Sequence, residues 1–203
     1  EEFKEGATDS QLVNSVYCDN YWMELYHGRL EKTAGAIALR FRWYGTGQPK
    51  KVFVERKTHR ESWCGDLSVK ERFVVDESEV LGMLDGKYNI KEQKAKMKAR
   101  GVSAAQIADW EQLAREITSA ISNKQLRPVM RTQYMRTAFQ IPYDATVRVS
   151  LDSNLTMIVD RTKSTADGDA WYRDPTTPVP LNEITRFPHA VLEVKLQLES
   201  EDQ

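Results

Sequence analysis

Two arginines two residues apart, Arg40 and Arg42, lie in the stretch Ala36–Tyr44, which reads Ala-Ile-Ala-Leu-Arg-Phe-Arg-Trp-Tyr. The stretch alternates. Ile37, Leu39, Phe41 and Trp43 point one way, and Ala38, Arg40, Arg42 and Tyr44 point the other. Side chains on a β-strand change face at every residue, so one face is apolar and the other carries both guanidinium groups. Guanidinium forks match phosphate oxygens. The pattern returns elsewhere. Glu55 and Lys57 share a face of the segment Lys51–Thr58, and Glu193 and Lys195 share a face of Ala190–Leu198. Lys70, Arg136 and Arg148 sit on other alternating segments. Repeated cations with an occasional glutamate suit polyanion binding, and the glutamates can balance charge or hold a hard divalent cation through oxygen.

Two architectures fit that pattern. In one, an open antiparallel sheet leaves its charged face in water. In the other, the sheet curls closed and the charged faces line an interior, which must then hold anions, because unpaired buried cations are costly.

The elements that position these residues are read from periodicity and turn chemistry. Strands are expected over Val13–Cys18, Ala36–Tyr44, Lys51–Thr58, Val69–Val75, Leu126–Gln140, Thr146–Leu151, Leu155–Asp160 and Ala190–Leu198. Gly45 to Lys50 makes a hairpin of the second and third. Thr58–Gly65 reads as a loop carrying His59, Arg60 and Trp63, and Asp152-Ser-Asn154 as a turn. Glu24–Glu31 fits a helical turn or a loop. Pro128 restricts its strand to an edge position or a strand start. Helices are expected over Ser78–Leu84 with Ser78 as N-cap, over Ile90–Ala99, and over Ser103–Ser122. The helical insertion thus covers about 78–124, and a flexible loop covers about 161–185.

The chain has 203 residues, of which 29% are charged, with a formal net charge of -1. That length fits one domain with a substantial core. Any anion site is therefore a local concentration of charge. Trp43, Tyr44 and Trp63 offer stacking surfaces, but near-neutral charge and interleaved acids argue against a nucleic-acid partner. Cys18 and Cys64 are too few for a disulfide framework and point to a reducing compartment. His27, His59 and His189 are scattered. There is no Gly-rich phosphate loop, no His-Glu-x-x-His and no serine elbow. No apolar run approaches the roughly 20 residues that span a bilayer.

Read together, Ser15-Val-Tyr-Cys-Asp-Asn20, Leu25-Tyr-His-Gly-Arg-Leu30, Leu39-Arg-Phe-Arg-Trp-Tyr-Gly45, Val52-Phe-Val-Glu-Arg-Lys-Thr-His59, Ser68-Val-Lys-Glu-Arg-Phe73, Leu126-Arg-Pro-Val-Met-Arg131, Arg136-Thr-Ala-Phe139 and Arg186-Phe-Pro-His-Ala-Val-Leu-Glu-Val-Lys-Leu196 resemble one family. It is the central domain of the vacuolar transporter chaperone (VTC) proteins, in the triphosphate tunnel metalloenzyme (CYTH-like) superfamily. The resemblance runs in order from about residue 13 to 197.

It implies an α+β fold: an antiparallel β-barrel tunnel with a helical insertion, here a single domain over 1–203 that is truncated at both ends. It implies binding of ATP, phosphate and inorganic polyphosphate, and synthesis of polyphosphate by transfer of the ATP γ-phosphate, with manganese or magnesium. On this mapping Arg40, Arg42, Lys57, Lys70, Arg136, Arg148 and Lys195 match phosphate-binding positions, and Glu193 matches the metal-binding acid. Glu55 is a candidate second acid, and His59 falls toward the nucleotide end. The implied setting is the cytosolic face of a vacuolar or acidocalcisome-type membrane. There the chain would be held with other VTC subunits through parts outside this sequence. One departure stands out: Val74-Val75-Asp76-Glu77 lacks the further tunnel lysine of the catalytic form. The alternatives are therefore a non-catalytic accessory domain that binds phosphate or polyphosphate, or a triphosphatase.

Overall fold

A computed structural model describes residues 9–60, 67–144, 146–160, 170–173 and 177–197. Strands β1 (Gln11–Asp19), β2 (Ile37–Tyr44), β3 (Lys51–Arg60), β4 (Leu67–Asp76), β5 (Arg127–Gln140), β6 (Val147–Val159), β7 (Ile184–Arg186) and β8 (Val191–Leu196) form one eight-stranded sheet. Its order is β4-β3-β2-β1-β5-β6-β7, with β8 also paired to β6, and every pairing is antiparallel. The expected α+β class, antiparallel strands with a helical insertion, is the one observed. Among the described residues no ladder joins β4 to β7 or β8, so the sheet has two unpaired edges there.

The chain leaves β4 at one edge and re-enters as β5, next to β1. It must cross β3, β2 and β1 to do so. The crossing is made by α2 (Val80–Leu84), α3 (Ile90–Ala99) and α4 (Ala104–Lys124). They cover the apolar sheet face: Val80, Met83, Leu84, Ala114, Ile117 and Ile121 meet Val16, Leu39, Phe41, Trp43, Val52, Val54, Phe73 and Val75 in one core. Each such aliphatic side chain contributes about 1.5–3 kcal/mol of burial. Ile117, which is fully buried, would cost about 2–5 kcal/mol if cut to alanine. Helix α4 starts where the sequence places it. Ser103 Oγ accepts from Gln106 N–H at 3.3 Å, and the Gln106 side chain accepts from Ser103 N–H at 3.3 Å. Because the crossing ends at β5, it does not reach β6 or β8. Phe139, Leu192, Val194 and Leu196 on that side of the sheet stay exposed.

Four local expectations are corrected. First, Thr58–Gly65 is not wholly loop. Strand β3 continues to Arg60 because His59 N–H donates to Ala36 O at 2.8 Å and Gly35 N–H donates to His59 O at 3.0 Å. Trp63 lies outside the described residues. Second, the 152–154 turn does not form, and β6 runs through it as one 13-residue strand. Asn154 takes φ 55°, and the register against β5 jumps between Gln133 and Met135. A residue that tolerates positive φ has made a β-bulge in place of a turn. Third, the short helix begins earlier than Ser78. A 3-10 turn over Glu77–Glu79 precedes α2, and Asp76 N–H donates to the Glu79 carboxylate at 3.1 Å. Fourth, the stretch 161–185 is not all loop. It supplies β7, and Trp171 is 2% exposed. The indole stacks edge-on with Phe41 and Trp43 and donates Nε1–H to Glu77 at 2.7 Å. Residues 161–169 and 174–176, on which the expected flexibility falls, lie outside the described residues.

The Trp171 segment is tied down by a buried pair on the core-facing side. Arg173 N–H donates to Asp160 Oδ1 at 2.8 Å, and Arg131 Nε stands 3.7 Å from Asp160 Oδ2. Burial pushes the Asp160 carboxyl above its usual range against the pull of Arg131. Pro128 sits near the start of β5, an interior strand, where its missing N–H falls beside the register shift at Tyr17/Cys18.

Candidate functional site

The face opposite the helices is built by register. Lys57 pairs with Lys70, and Glu55 lies between Arg72 on β4 and Arg40 on β2. Arg40 faces Tyr17, and Arg42 faces Ser15 on β1. On the other flank Arg136 faces Asp152, Ser150 faces Glu193, and Arg148 faces Lys195. Opposite residues in adjacent strands share a face, so one polar row crosses the sheet from β4 to β8.

The row has two centres. At the first, Glu55 is 2% exposed. Arg40 donates from Nε to Oε2 at 2.7 Å, and Arg40 Nη2 is also 2.7 Å from Oε2. Lys70 Nζ lies 3.0 Å from Oε1. Arg42 Nε and Arg72 Nη1 stand at 3.7 Å. Burial alone would raise the Glu55 carboxyl, but the Lys70 bond and the charges of Arg40 and Arg42 outweigh it and hold it below the usual range. Burial likewise pulls the Lys70 ammonium down, against the support of Glu55. Arg40 Nη1 donates to Tyr17 Oη at 2.9 Å. Arg42 donates to Ser15 Oγ at 2.9 Å and to Tyr134 Oη at 3.2 Å. A cavity of about 420 Å³ opens here, lined by Arg40, Glu55, Lys57 and Lys70 and, from α1 (Glu24–Leu30), by Tyr26 and Arg29.

At the second centre, Arg136 grips Asp152 with two parallel bonds of 2.6 Å, which drive its basicity up. Arg136 Nη2 is also 3.9 Å from Glu193 Oε2. Lys195 Nζ is 3.4 Å from Glu193 Oε1, and Ser150 Oγ donates to Glu193 Oε2 at 3.5 Å. Tyr134 links the centres: it accepts from Arg42, and its ring lies 5.3 Å from the Arg136 guanidinium.

The structure therefore brings Arg40, Arg42, Glu55, Lys57 and Lys70 to one centre, and Arg136, Arg148, Glu193 and Lys195 to the other. His59 is not on the cavity wall; it is buried two residues beyond Lys57, opposite Ser68. Sequence reasoning missed Ser15, Tyr17 and Tyr134, which aim the arginines, and also Arg29, Arg72 and Asp152. Strand parity carried the signal for Tyr17 and Ser15, since both alternate with the apolar Val16 and Cys18. Asp152 was hidden by its placement in a turn.

The donor set suits a polyanion. Cationic forks and ammoniums converge, and nothing resembling an activated nucleophile is present in the row. Cys18 is buried on the other face, with its thiol pushed far up by burial. Among the described residues no group of three or more His, Cys, Asp or Glu side chains gathers as a metal cage. Glu193 is half-exposed and accepts only long contacts. That fits a hard cation held by one carboxylate and completed by ligand oxygens, not an all-protein site.

Relatives carry this sequence in larger proteins. Vacuolar transporter chaperone complex subunit 4 of Schizosaccharomyces pombe is 45% identical over 96% of this chain. Subunit 4 of Trypanosoma cruzi is 37% identical over 91% of it, and subunit 2 of Saccharomyces cerevisiae is 34% identical over 92% of it. The chain spans only 28%, 23% and 24% of the three, respectively. Among the described residues no helix is long and apolar enough to cross a membrane. With the VTC domain model matching residues 2–202, almost the whole length over which the polar row is laid out, the chain belongs to the VTC domain family.

Proposed function

We propose that this domain binds ATP and inorganic polyphosphate along the polar row and transfers the ATP γ-phosphate to the growing polyphosphate chain. The observation that carries the reading is the charge excess at Glu55, where four cations lie within 4 Å of a single buried carboxylate. Phosphoryl transfer asks little covalent chemistry of a protein. It asks for an acceptor held in line with the γ-phosphorus and for neutralisation of charge as the bond to ADP breaks. Arg40 and Arg42 clamp non-bridging oxygens. Lys57 and Lys70 extend the row on one flank, and Arg136, Arg148 and Lys195 extend it on the other. A phosphate end is already an anionic nucleophile, so no strong base is needed. Glu193 would hold manganese or magnesium, which when bound neutralises phosphate oxygens. Closure of the sheet into a tunnel, an assembly with other VTC subunits, and a place on the cytosolic face of a vacuolar or acidocalcisome-type membrane belong to the same proposal.

Incubating the full-length protein with ATP and manganese tests it. Polyphosphate accumulation is expected. A second reading, an accessory domain that binds polyphosphate without making it, is favoured by Val74-Val75-Asp76-Glu77, a region where the resemblance leads one to expect a lysine; Asp76 in it is paired with Lys51 at 2.5 Å. Retained triphosphate binding with no product would select this second reading. Phosphate release from tripolyphosphate without chain growth would select a triphosphatase.

A further inference from the structure

Glu55 was expected either to join a metal site or to touch substrate. Its surroundings tell against the first, because the carboxylate is ringed by the cations Arg40, Lys70, Arg42 and Arg72, which repel a metal ion. Its contact with Arg40 is the informative one. Nε and Nη2 form the edge with which a guanidinium grips a phosphate, and both meet Glu55 Oε2 at 2.7 Å. Arg40 Nη1 is held by Tyr17. The Arg40 clamp is thus already closed on an anion, and that anion belongs to the protein. The neighbouring strands make this inescapable, because register sets Glu55 directly between Arg40 and Arg72.

We propose that Glu55 is an internal counter-anion, a positioning residue that stands in for a phosphoryl group: it holds the four cations together while no ligand is bound, and a ligand must take the Arg40 edge from it. This rests on the phosphate-binding reading above and adds a specificity. A ligand with one or two charges at a single phosphorus gains little by displacing a carboxylate that is already well placed. A chain of linked phosphates engages Arg42, Lys70 and the rest of the row at the same time, and so competes effectively. Glu55 therefore selects linked polyphosphates against orthophosphate and sulfate.

The test is calorimetric titration of the full-length protein, Glu55→Gln and Glu55→Asp with tripolyphosphate and, separately, orthophosphate, at one fixed ionic strength. Glu55→Gln keeps the shape and removes the charge. It should bind tripolyphosphate at least tenfold more tightly than wild type, and gain more for orthophosphate, so that the preference for the longer anion narrows. Glu55→Asp keeps the charge and should stay near wild type. A residue that only props the strands would lose affinity in both variants, and that result, or unchanged affinity in Glu55→Gln, overturns the proposal. Should Glu55→Gln fold poorly without ligand, thermal unfolding replaces the titration. The stabilisation by tripolyphosphate must then exceed that of wild type, and a smaller one overturns the proposal. Wild-type protein that binds no tripolyphosphate is a separate result, and it removes the phosphate-binding reading itself.

Discussion

Around Glu55, four cations share one buried carboxylate; around Glu193, Arg136 and Lys195 meet two carboxylates, Glu193 and Asp152. Both centres use arginine, lysine and acid on alternating strand positions. They differ in balance and in depth. The first carries excess positive charge around a buried carboxylate and a buried Arg42, with Lys70 and Arg72 open to solvent, so an anion entering from that side meets converging cations. The second is nearly neutral and half-exposed, with a glutamate that keeps oxygen lone pairs available. Under the proposed function the first centre would grip phosphate and the second would add a carboxylate for a cation, though similar side chains build both.

The largest expected effect breaks the first centre. Arg40→Ala should weaken tripolyphosphate binding by about 3 kcal/mol, or roughly 100-fold, since it removes a pair of charge-assisted bonds. Arg40 is only partly buried, so thermal unfolding should move by a few degrees at most. If the variant unfolds while its folded fraction keeps full affinity, the clamp lies elsewhere.

Glu193→Gln probes the second centre. Turnover with manganese should fall by about tenfold, since the loss is confined to one carboxylate among several oxygen ligands. Tripolyphosphate affinity in a chelator should not fall. An equal loss with and without divalent cation would mean that the two centres do not divide the work.

Smaller still is the effect of Lys57→Ala. This lysine is exposed, and its register partner is another lysine, Lys70. Affinity should drop by about threefold at low salt, and the difference should vanish in roughly 1 M salt, where screening is short-ranged. A loss that persists in high salt would mark Lys57 as a buried contact in the complex.

The weakest effect concerns pH. Glu55 has its carboxyl held below the ordinary 4.5 in the folded protein. It therefore contributes stability that is fully present above that value and is lost as pH falls below it through the folded pKa. Acid unfolding of Glu55→Gln should be shallower below pH 4.5 than that of wild type. Superimposable acid limbs would show that the four cations do not bear on this carboxylate.

Much of the row was legible beforehand because strand parity is local. Arg40 with Arg42, Glu55 with Lys57, and Glu193 with Lys195 had to share faces once their segments were strands, and helix α4 announced itself through Ser103, Gln106 and its apolar stripe. The errors fall where a local signal has two meanings. Asn154 tolerates positive φ, which serves a turn or a bulge equally well. Only the long partner β5, continuing past it, made the bulge. Trp171 and Tyr172 sit among turn-forming residues with no periodicity, and nothing local shows that Phe41 and Trp43 leave them a place in the core. The sense of Glu55 was hidden for the same reason, because its four partners come from β2 and β4.

By itself, then, the amino-acid order determined which residues alternate, which faces are charged, and where the helices begin. Those properties depend on backbone period and on side chains a few positions apart. Tertiary structure alone decided that Arg40, Arg42, Lys70 and Arg72 converge on one buried carboxylate while Glu193 remains open. Convergence is set by strand order and register, which pair residues far apart in the chain, and burial then sets how strongly their charges act on one another.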